Sequence, residues 1–415
     1  MSKIDKLIKQ LCPDGIVFKE LGELGLFENI GVDKKILEGE KKVMLLNFMD
    51  VMRNKHIHKN TLSMEVSASE SKIEKCNIKQ FDIFITPTSE TRDEIGFTAV
   101  ADKDIPGAVY SYHVMRYRMY KLNSVTPYFI SYLFESEDLR TQIFKASKGL
   151  TRFGLSAKDF AKLRIPFPPL KIQEEIVSIL DKFRTLEAEL EAELEARKKQ
   201  YVFYRNALFS FEGQDVEWKS LEELGEFTRG KRFVKTDIQS EGSPCIHYGE
   251  MYTHYKIWAK EAKSFLNPSL ASKLRTAKYG DVVIVAAGET IEDIGQGVAW
   301  LGDKEVVIHD ACFSFSHKMY PNYVSHFTQT DIFHSQIKRY ISSGKISSIN
   351  AAGLSKAKIP VPSMEEQIRI AAILDRFHAL LNDISIGLPA EIKTRRKQYE
   401  HYRNQLLTFN NVSNE

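Results

Sequence analysis

The chain has 415 residues, enough for two or three domains that each bury a core of their own. Its 58 basic residues are nearly matched by 55 acidic ones, so a formal charge of +3 does not by itself prove a nucleic-acid partner, and where the charge lies matters more than its sum. Cys12, Cys76, Cys245 and Cys312 lie far apart without CxxC spacing, against a disulfide framework or zinc site, and no stretch reads as a signal peptide or membrane span, so the expectation is a soluble cytoplasmic protein.

In chain order, Phe81-Asp82-Ile83-Phe84-Ile85 predicts a buried strand and Pro127 to Phe144 a helix. After Pro168-Pro169, apolar or aromatic side chains fall at Ile172, Ile176, Ile179, Phe183, Leu186, Leu190, Leu194, Tyr201, Tyr204, Leu208 and Phe211. Steps that mostly alternate between four and three are the seam of a coiled coil, and about 40 helical residues span roughly 60 Å. Glu187, Glu189, Glu191, Glu193 and Glu195 form a stretch without a base, which reads as the solvated outer face of that helix rather than an acid catalyst. Asp281-Val282-Val283-Ile284-Val285 predicts another buried strand. Ser363 with Glu366 spells a capping box ahead of Ile368 and Ile370, so a second long helix starts there, and Gly387 and Pro389 break or kink it.

The chain is written twice, with a period of about 195 to 200 residues. Phe18, Lys19 and Leu21 recur as Trp218, Lys219 and Leu221, and Asp82 with Glu90-Thr91 and Ile95-Gly96 recurs as Asp281 with Glu289-Thr290 and Ile294-Gly295. Leu155-Ser156 and Ile165-Pro166 return as Leu354-Ser355 and Ile359-Pro360. Each half closes on the same spelling, RKKQYVFYRNALFSF from Arg197 and RRKQYEHYRNQLLTF from Arg395, identical at nine of fifteen positions. The likeness fades over residues 34–79 and 229–278. A molecule that keeps its frame twice while differing inside it suits two unlike readers.

Catalytic centres are not spelled. Phe167-Pro168-Pro169-Leu170 superficially resembles the Asn- or Asp-Pro-Pro-aromatic motif of adenine methyltransferases, but Phe stands where a hydrogen-bonding amide or carboxylate is needed, and no glycine-rich cofactor loop accompanies it. Gly225 to Lys231 opens like a phosphate loop, yet Arg232 replaces the hydroxyl that would hold magnesium. His56, His58, His247 and His254 are scattered and read as surface or DNA-facing groups, not metal ligands.

Base reading calls for Arg or Lys on guanine and Asn or Gln on adenine, with further basic groups on phosphates. The first half offers Arg53, Lys55, His56, Lys59, Arg116 and Arg118; the second offers Arg229, Lys231, Arg232, Tyr248 and Lys256, aromatics interleaved with bases.

The segments IPFPPLKIQEEI from Ile165 and IPVPSMEEQIRI from Ile359, the LDKF and LDRF that follow, and the RKKQY and YRN closers resemble the specificity subunits of type I restriction-modification systems over nearly the whole chain. The resemblance implies an α+β fold: two globular mixed α/β target-recognition domains in pseudo-twofold tandem repeat, separated by two long antiparallel coiled-coil helices. It divides the chain into a first recognition domain (1–168), a spacer helix (169–211), a second recognition domain (212–362) and a second spacer helix (363–410).

It also implies a non-catalytic subunit that binds a bipartite, asymmetric double-stranded DNA target. Two modification (methyltransferase) subunits and restriction/translocase subunits would dock on it, carrying S-adenosylmethionine, ATP and magnesium, while this chain holds no cofactor or metal. On the same resemblance, Lys148, Thr151, Arg152, Lys345 and Ser347 lie near DNA. Arg197, Gln200, Tyr201, Tyr204, Arg205 and Asn206, with Arg395, Gln398, Tyr399, Tyr402, Arg403 and Asn404, meet the partner subunits. The competing expectations are a coiled-coil scaffold that ignores DNA and a self-contained DNA methyltransferase.

Overall fold

The computed structural model describes residues 3–344, 346–382 and 386–409. The chain forms two compact units, Met1–Ala188 with Thr394–Glu415, and Glu189–Lys393. The boundary between them falls within two helices, Leu170–Ser210 and Gly387–Leu407. One helix of 41 residues runs from Leu170 to Ser210, its first part in the first unit and its second part in the second.

In the first unit a five-stranded sheet has the order Gly25–Glu28, Met115–Met119, Ile83–Ile85, Thr98–Ala101, His56–Ile57. All pairs are antiparallel except the last. Ile83–Ile85 is buried throughout, as expected of a central strand. It starts later than its spelling predicts because Phe81 adopts a φ of 70° in a turn, where the Asp82 carboxylate accepts the Lys79 N–H at 2.8 Å. A four-stranded sheet, in the order Met64–Ala68, Lys41–Leu46, Ile105–Tyr110, Asn77–Ile78, closes a separate core around Leu45, Val66, Val109 and Tyr110.

The stretch predicted as one helix from Pro127 is two, Pro127–Leu133 and Glu137–Ala146. Ser136 ends the first run and caps the second, its hydroxyl accepting the Leu139 N–H. Against this pair lie Ile172, Ile176 and Leu180 of the long helix, all fully buried. The final helix, Gly387–Leu407, reaches the same unit with its second part and runs antiparallel to the first part of the long helix. Tyr399 and Tyr402 meet Phe183, and Arg396 pairs with Glu187.

The second unit repeats this plan. Its five-stranded sheet runs Gly225–Arg229, Cys312–His317, Val282–Val285, Gly297–Trp300, Trp258–Ala259, again with only the last pair parallel. Its other sheet runs Ile238–Gln239, Ser264–Leu266, Ser243–Ile246, Val306–Ile308, Thr276–Ala277. The segments whose sequences diverge, 34–79 and 229–278, therefore supply the same strands in the same order, with one edge strand added in the second copy.

Burial along the long helix gathers at its two ends, whereas Leu186 is exposed and Leu190 and Leu194 are half-buried, so the middle is not a tight seam. Glu189, Glu191, Glu193 and Glu195 are exposed. The second long helix is broken as its Gly and Pro demand, into Met364–Asn382 and Gly387–Leu407, and Ser363 Oγ accepts the Glu366 N–H at its start. No helix among the described residues is long and apolar enough to cross a membrane.

Candidate nucleic-acid interface

In the second unit, strand Gly225–Arg229 ends with Arg229 opposite Phe313. The chain turns at Gly230, so close to the neighbouring backbone that a Cβ there would stand 2.1 Å from the His309 carbonyl oxygen. This turn leads Arg232, Phe233 and Lys235 to His309. The Phe233 ring meets the His309 ring edge-on at 5.1 Å, and His309 Nε2 lies 3.1 Å from the Phe233 carbonyl oxygen.

The other wall comes from the short helix Tyr248–Thr253. His247 caps it, Nδ1 accepting the Gly249 N–H at 3.3 Å, and Glu250 returns a bond to the His247 N–H at 3.0 Å. Arg229, Arg232, Lys235, His247, Tyr248 and His309 line a cleft of about 750 Å³, together with Ile346. Glu289 and Asp310 are the acidic groups on that lining. Burial holds both His247 and His309 below the usual imidazole range, so they are neutral near pH 7 and the cleft's positive charge comes from Arg229, Arg232 and Lys235.

Arg229, Arg232 and Tyr248, three of the residues expected to face DNA, are thus brought together on one cleft. Lys231 is exposed but turns its Nζ to the Lys273 carbonyl, and Lys256 lines a different cleft with Trp258, His378 and Asn382. Ser347 is buried, pairing through its backbone with Gly288, which removes it from the candidate DNA contacts. Lys345 lies outside the described residues, as does position 410, the expected end of the second spacer.

In the first unit several expected DNA contacts have internal partners instead. Lys55 is buried, its Nζ bonded to Glu135 Oε1 at 2.7 Å and to the Ser131 carbonyl at 2.8 Å. Arg116 is buried against Glu28 and the Asn77 carbonyl. Both side chains are buried, and a buried charge is held by such partners, so both leave the list of DNA contacts. Arg118 is half-buried and clamps Asp82 through two bonds of 2.6 Å. His56 Nδ1 stands 3.0 Å from Asp102. Arg53, Lys59, Lys148, Thr151 and Arg152 stay exposed. Lys148 and Gly154 close the loop carrying the last three by a two-way backbone pair, a geometry that Ser342 and Ser348 repeat in the second unit.

A model of the type I restriction modification DNA specificity domain matches residues 13–196 and again 213–394. The chain belongs to the type I restriction-modification specificity family. It is 34% identical over 275 residues to the Escherichia coli EcoR124I/EcoR124II specificity subunit, covering 60% of this chain and 64% of that one. A putative specificity subunit of Mycoplasma pneumoniae is 28% identical over 258 residues, covering 60% of this chain and 97% of its own length. The chain thus spans slightly less than two thirds of the E. coli relative and nearly all of the Mycoplasma one. Among solved structures, a chain from work on complex assembly and conformational transition of the type I R-M system shares the fold, with a TM-score of 0.64 at 15% identity over 95% of this chain and 96% of that one.

The repeated spellings of this specificity-family chain have concrete jobs inside each unit. Gln173 and Gln367 sit where each spacer helix begins. Their Oε1 atoms accept the Thr126 and Tyr320 N–H groups at 3.0 Å, and their Nε2 groups donate to the Pro168 and Pro362 carbonyls. Asp181 accepts the Tyr132 hydroxyl at 2.5 Å, and Asp375 is 2.8 Å from His326 Nε2 and accepts from Asn322. These are the aspartates of LDKF and LDRF, and each ties its helix to the helix pair of its own unit.

The closers act in the same way. Tyr201 is buried on Phe377 and His326, and burial pushes its phenol up to about 12. Tyr399 is buried and donates to Glu135 Oε2 at 2.7 Å. Arg205 lies over the Tyr201 ring and Arg403 over the Tyr399 ring. Asn206 and Asn404 bond Asp331 and Glu137 in the first turns of neighbouring helices. Of the closer positions, Arg197, Tyr204, Gln398 and Tyr402 are exposed, and Gln200, Arg205, Asn206, Arg395, Arg403 and Asn404 are half-buried.

Proposed function

We propose that this chain is the DNA-reading subunit of a type I restriction-modification complex, in which each unit contacts one half of a bipartite, asymmetric target. The observation that carries this reading is the duplication itself: two units with the same sheet order and different side chains on corresponding loops. A frame used twice with unlike surfaces suits two unlike half-targets, and the second unit's cleft presents three cations beside a cluster of edge-on and tilted aromatic rings, the mixture that meets phosphates and bases.

The spacer helices, with exposed Arg197, Tyr204, Gln398 and Tyr402, are the natural docking surface for two modification subunits, to which restriction/translocase subunits would add cleavage. S-adenosylmethionine, ATP and magnesium would be held by those partners. Catalysis would lie with them, and this chain would act in the cytoplasm as their address.

The test is to co-express the chain with its modification subunit and map N6-methyladenine across host DNA. A split, asymmetric methylated motif that disappears when the chain is deleted supports the reading; methylation that does not depend on the chain rejects it.

A further inference from the structure

We infer that His247 is a specificity-determining residue of the second unit, its Nε2–H donating to N7 of one purine in the second half of the target. This rests on the proposed reading of DNA by that unit and names one atom of it. His247 Nδ1 accepts the Gly249 N–H, and a ring nitrogen that accepts carries no proton, so the neutral ring carries its hydrogen on Nε2. The ring is fixed rather than free. It stands edge-on to Phe233 at 6.0 Å and to His309 at 4.8 Å, tilted against Tyr248 at 4.6 Å, and the residue's backbone N–H is tied to the Glu250 carboxylate.

Among the described residues Nε2 has no hydrogen-bond partner, although the ring is half-buried in the wall of the cleft. His309 cannot play this part, because its Nδ1 accepts the Ala311 N–H at 3.1 Å and its Nε2 faces the Phe233 carbonyl. A single fixed N–H matches a purine N7, an acceptor that adenine and guanine both show in the major groove. Arg229, Arg232 and Lys235 on the same cleft would hold the neighbouring phosphates.

The first unit has a different group at the corresponding station. Asn47 caps the helix Phe48–Arg53 through Oδ1, which accepts the Met49 and Asp50 N–H groups, and it is buried where His247 is half-buried. The two units therefore differ in both donor chemistry and depth at one matched place.

The experiment uses the assembled complex and duplexes carrying the mapped motif, each purine of the second half replaced in turn by its 7-deaza analogue. Two variants separate reading from folding. His247→Ser keeps an oxygen for the helix cap but lacks the ring donor, and His247→Asn keeps both a cap and an N–H. Wild-type affinity is expected to fall about ten-fold at one purine, an effect of the size of one lost base contact. His247→Ser should be about ten-fold weaker on the natural duplex and indifferent to that replacement, while His247→Asn retains part of the sensitivity. Replacements in the first half should act alike on all three proteins.

If the wild type retains the motif selectively but no second-half purine shows a His247-dependent effect, the inference is overturned while the proposed function stands. If the wild type shows no sequence-selective retention, the proposed function falls and takes this inference with it.

Discussion

Burial and attraction pull in opposite directions on the Lys55–Glu135 pair. Burial takes the Lys55 amine down to about 8 despite Glu135 beside it, whereas burial of Glu135 is outweighed by Lys55 and Arg184, which leave its carboxyl at about 2. At neutral pH both are charged. Removing one partner from a buried pair leaves the other uncompensated, so Lys55→Met is expected to lower stability by about 3 kcal/mol in urea unfolding. DNA retention by the protein that stays folded should be unchanged; a large loss of retention at unchanged stability would restore Lys55 as a DNA contact. The pH sign follows from the depressed carboxyl. Glu135 stabilises fully above its unfolded value near 4.5, and that contribution is lost as pH falls toward 2. Glu135→Gln should therefore differ from wild type most above pH 4.5, with the gap narrowing on acidification, as unfolding midpoints at pH 6 and pH 3 would show. The run Arg53 to Asn60 reads as a basic surface because the partners that bury Lys55 lie 76 and 80 positions away, beyond the reach of any local spacing.

At the scale of elements, the repeated closers are the clearest case of a legible motif with an illegible role. Their identity in both halves is plain from the sequence, but their partners are not, since Asn206 meets Asp331 across 125 positions and Asn404 meets Glu137 across 267. Asn206 makes two bonds there, donating to Asp331 Oδ2 at 2.7 Å and accepting the Asp331 N–H at 3.0 Å, so it acts as a second cap for the helix Asp331–Ile337. Asn206→Ala is expected to cost about 1 to 2 kcal/mol, in the range of a lost cap, and to speed amide exchange at the start of that helix. Asn404→Ala removes an exposed bond to Glu137 and the two longer bonds that Arg403 gives its Oδ1, none of them to a helix N–H, and should cost less, about 0.5 kcal/mol. Equal losses in thermal unfolding would contradict this account. The strands at Ile83 and Val282 and the break before Pro389 were readable because unbroken apolar runs, Gly and Pro act locally. The division of Pro127 to Phe144 was missed because its apolar spacing continues past Ser136, and only the hydroxyl cap shows where one helix ends and the next begins.

For the whole molecule, the main consequence is that the poorly matching segments are not free loops. Residues 34–79 supply Lys41–Leu46 and Met64–Ala68, and the first of these pairs in parallel with Ile105–Tyr110, a strand outside the segment. Leu45, Leu46 and Val66 pack with Val109 and Tyr110 in one core, so an exchanged segment must keep those apolar positions and that register. Granted this, replacing 34–79 by the corresponding segment of a relative with a different target should alter only the first half of the methylated motif and leave the second half as it was. The reason is physical: this core closes within the first unit, and the cleft around His247 and His309 is built entirely from the second. Change in both halves would mean that the units do not read independently. No change in either would move first-half reading to the exposed loop at Lys148, Thr151 and Arg152, which the exchange leaves in place.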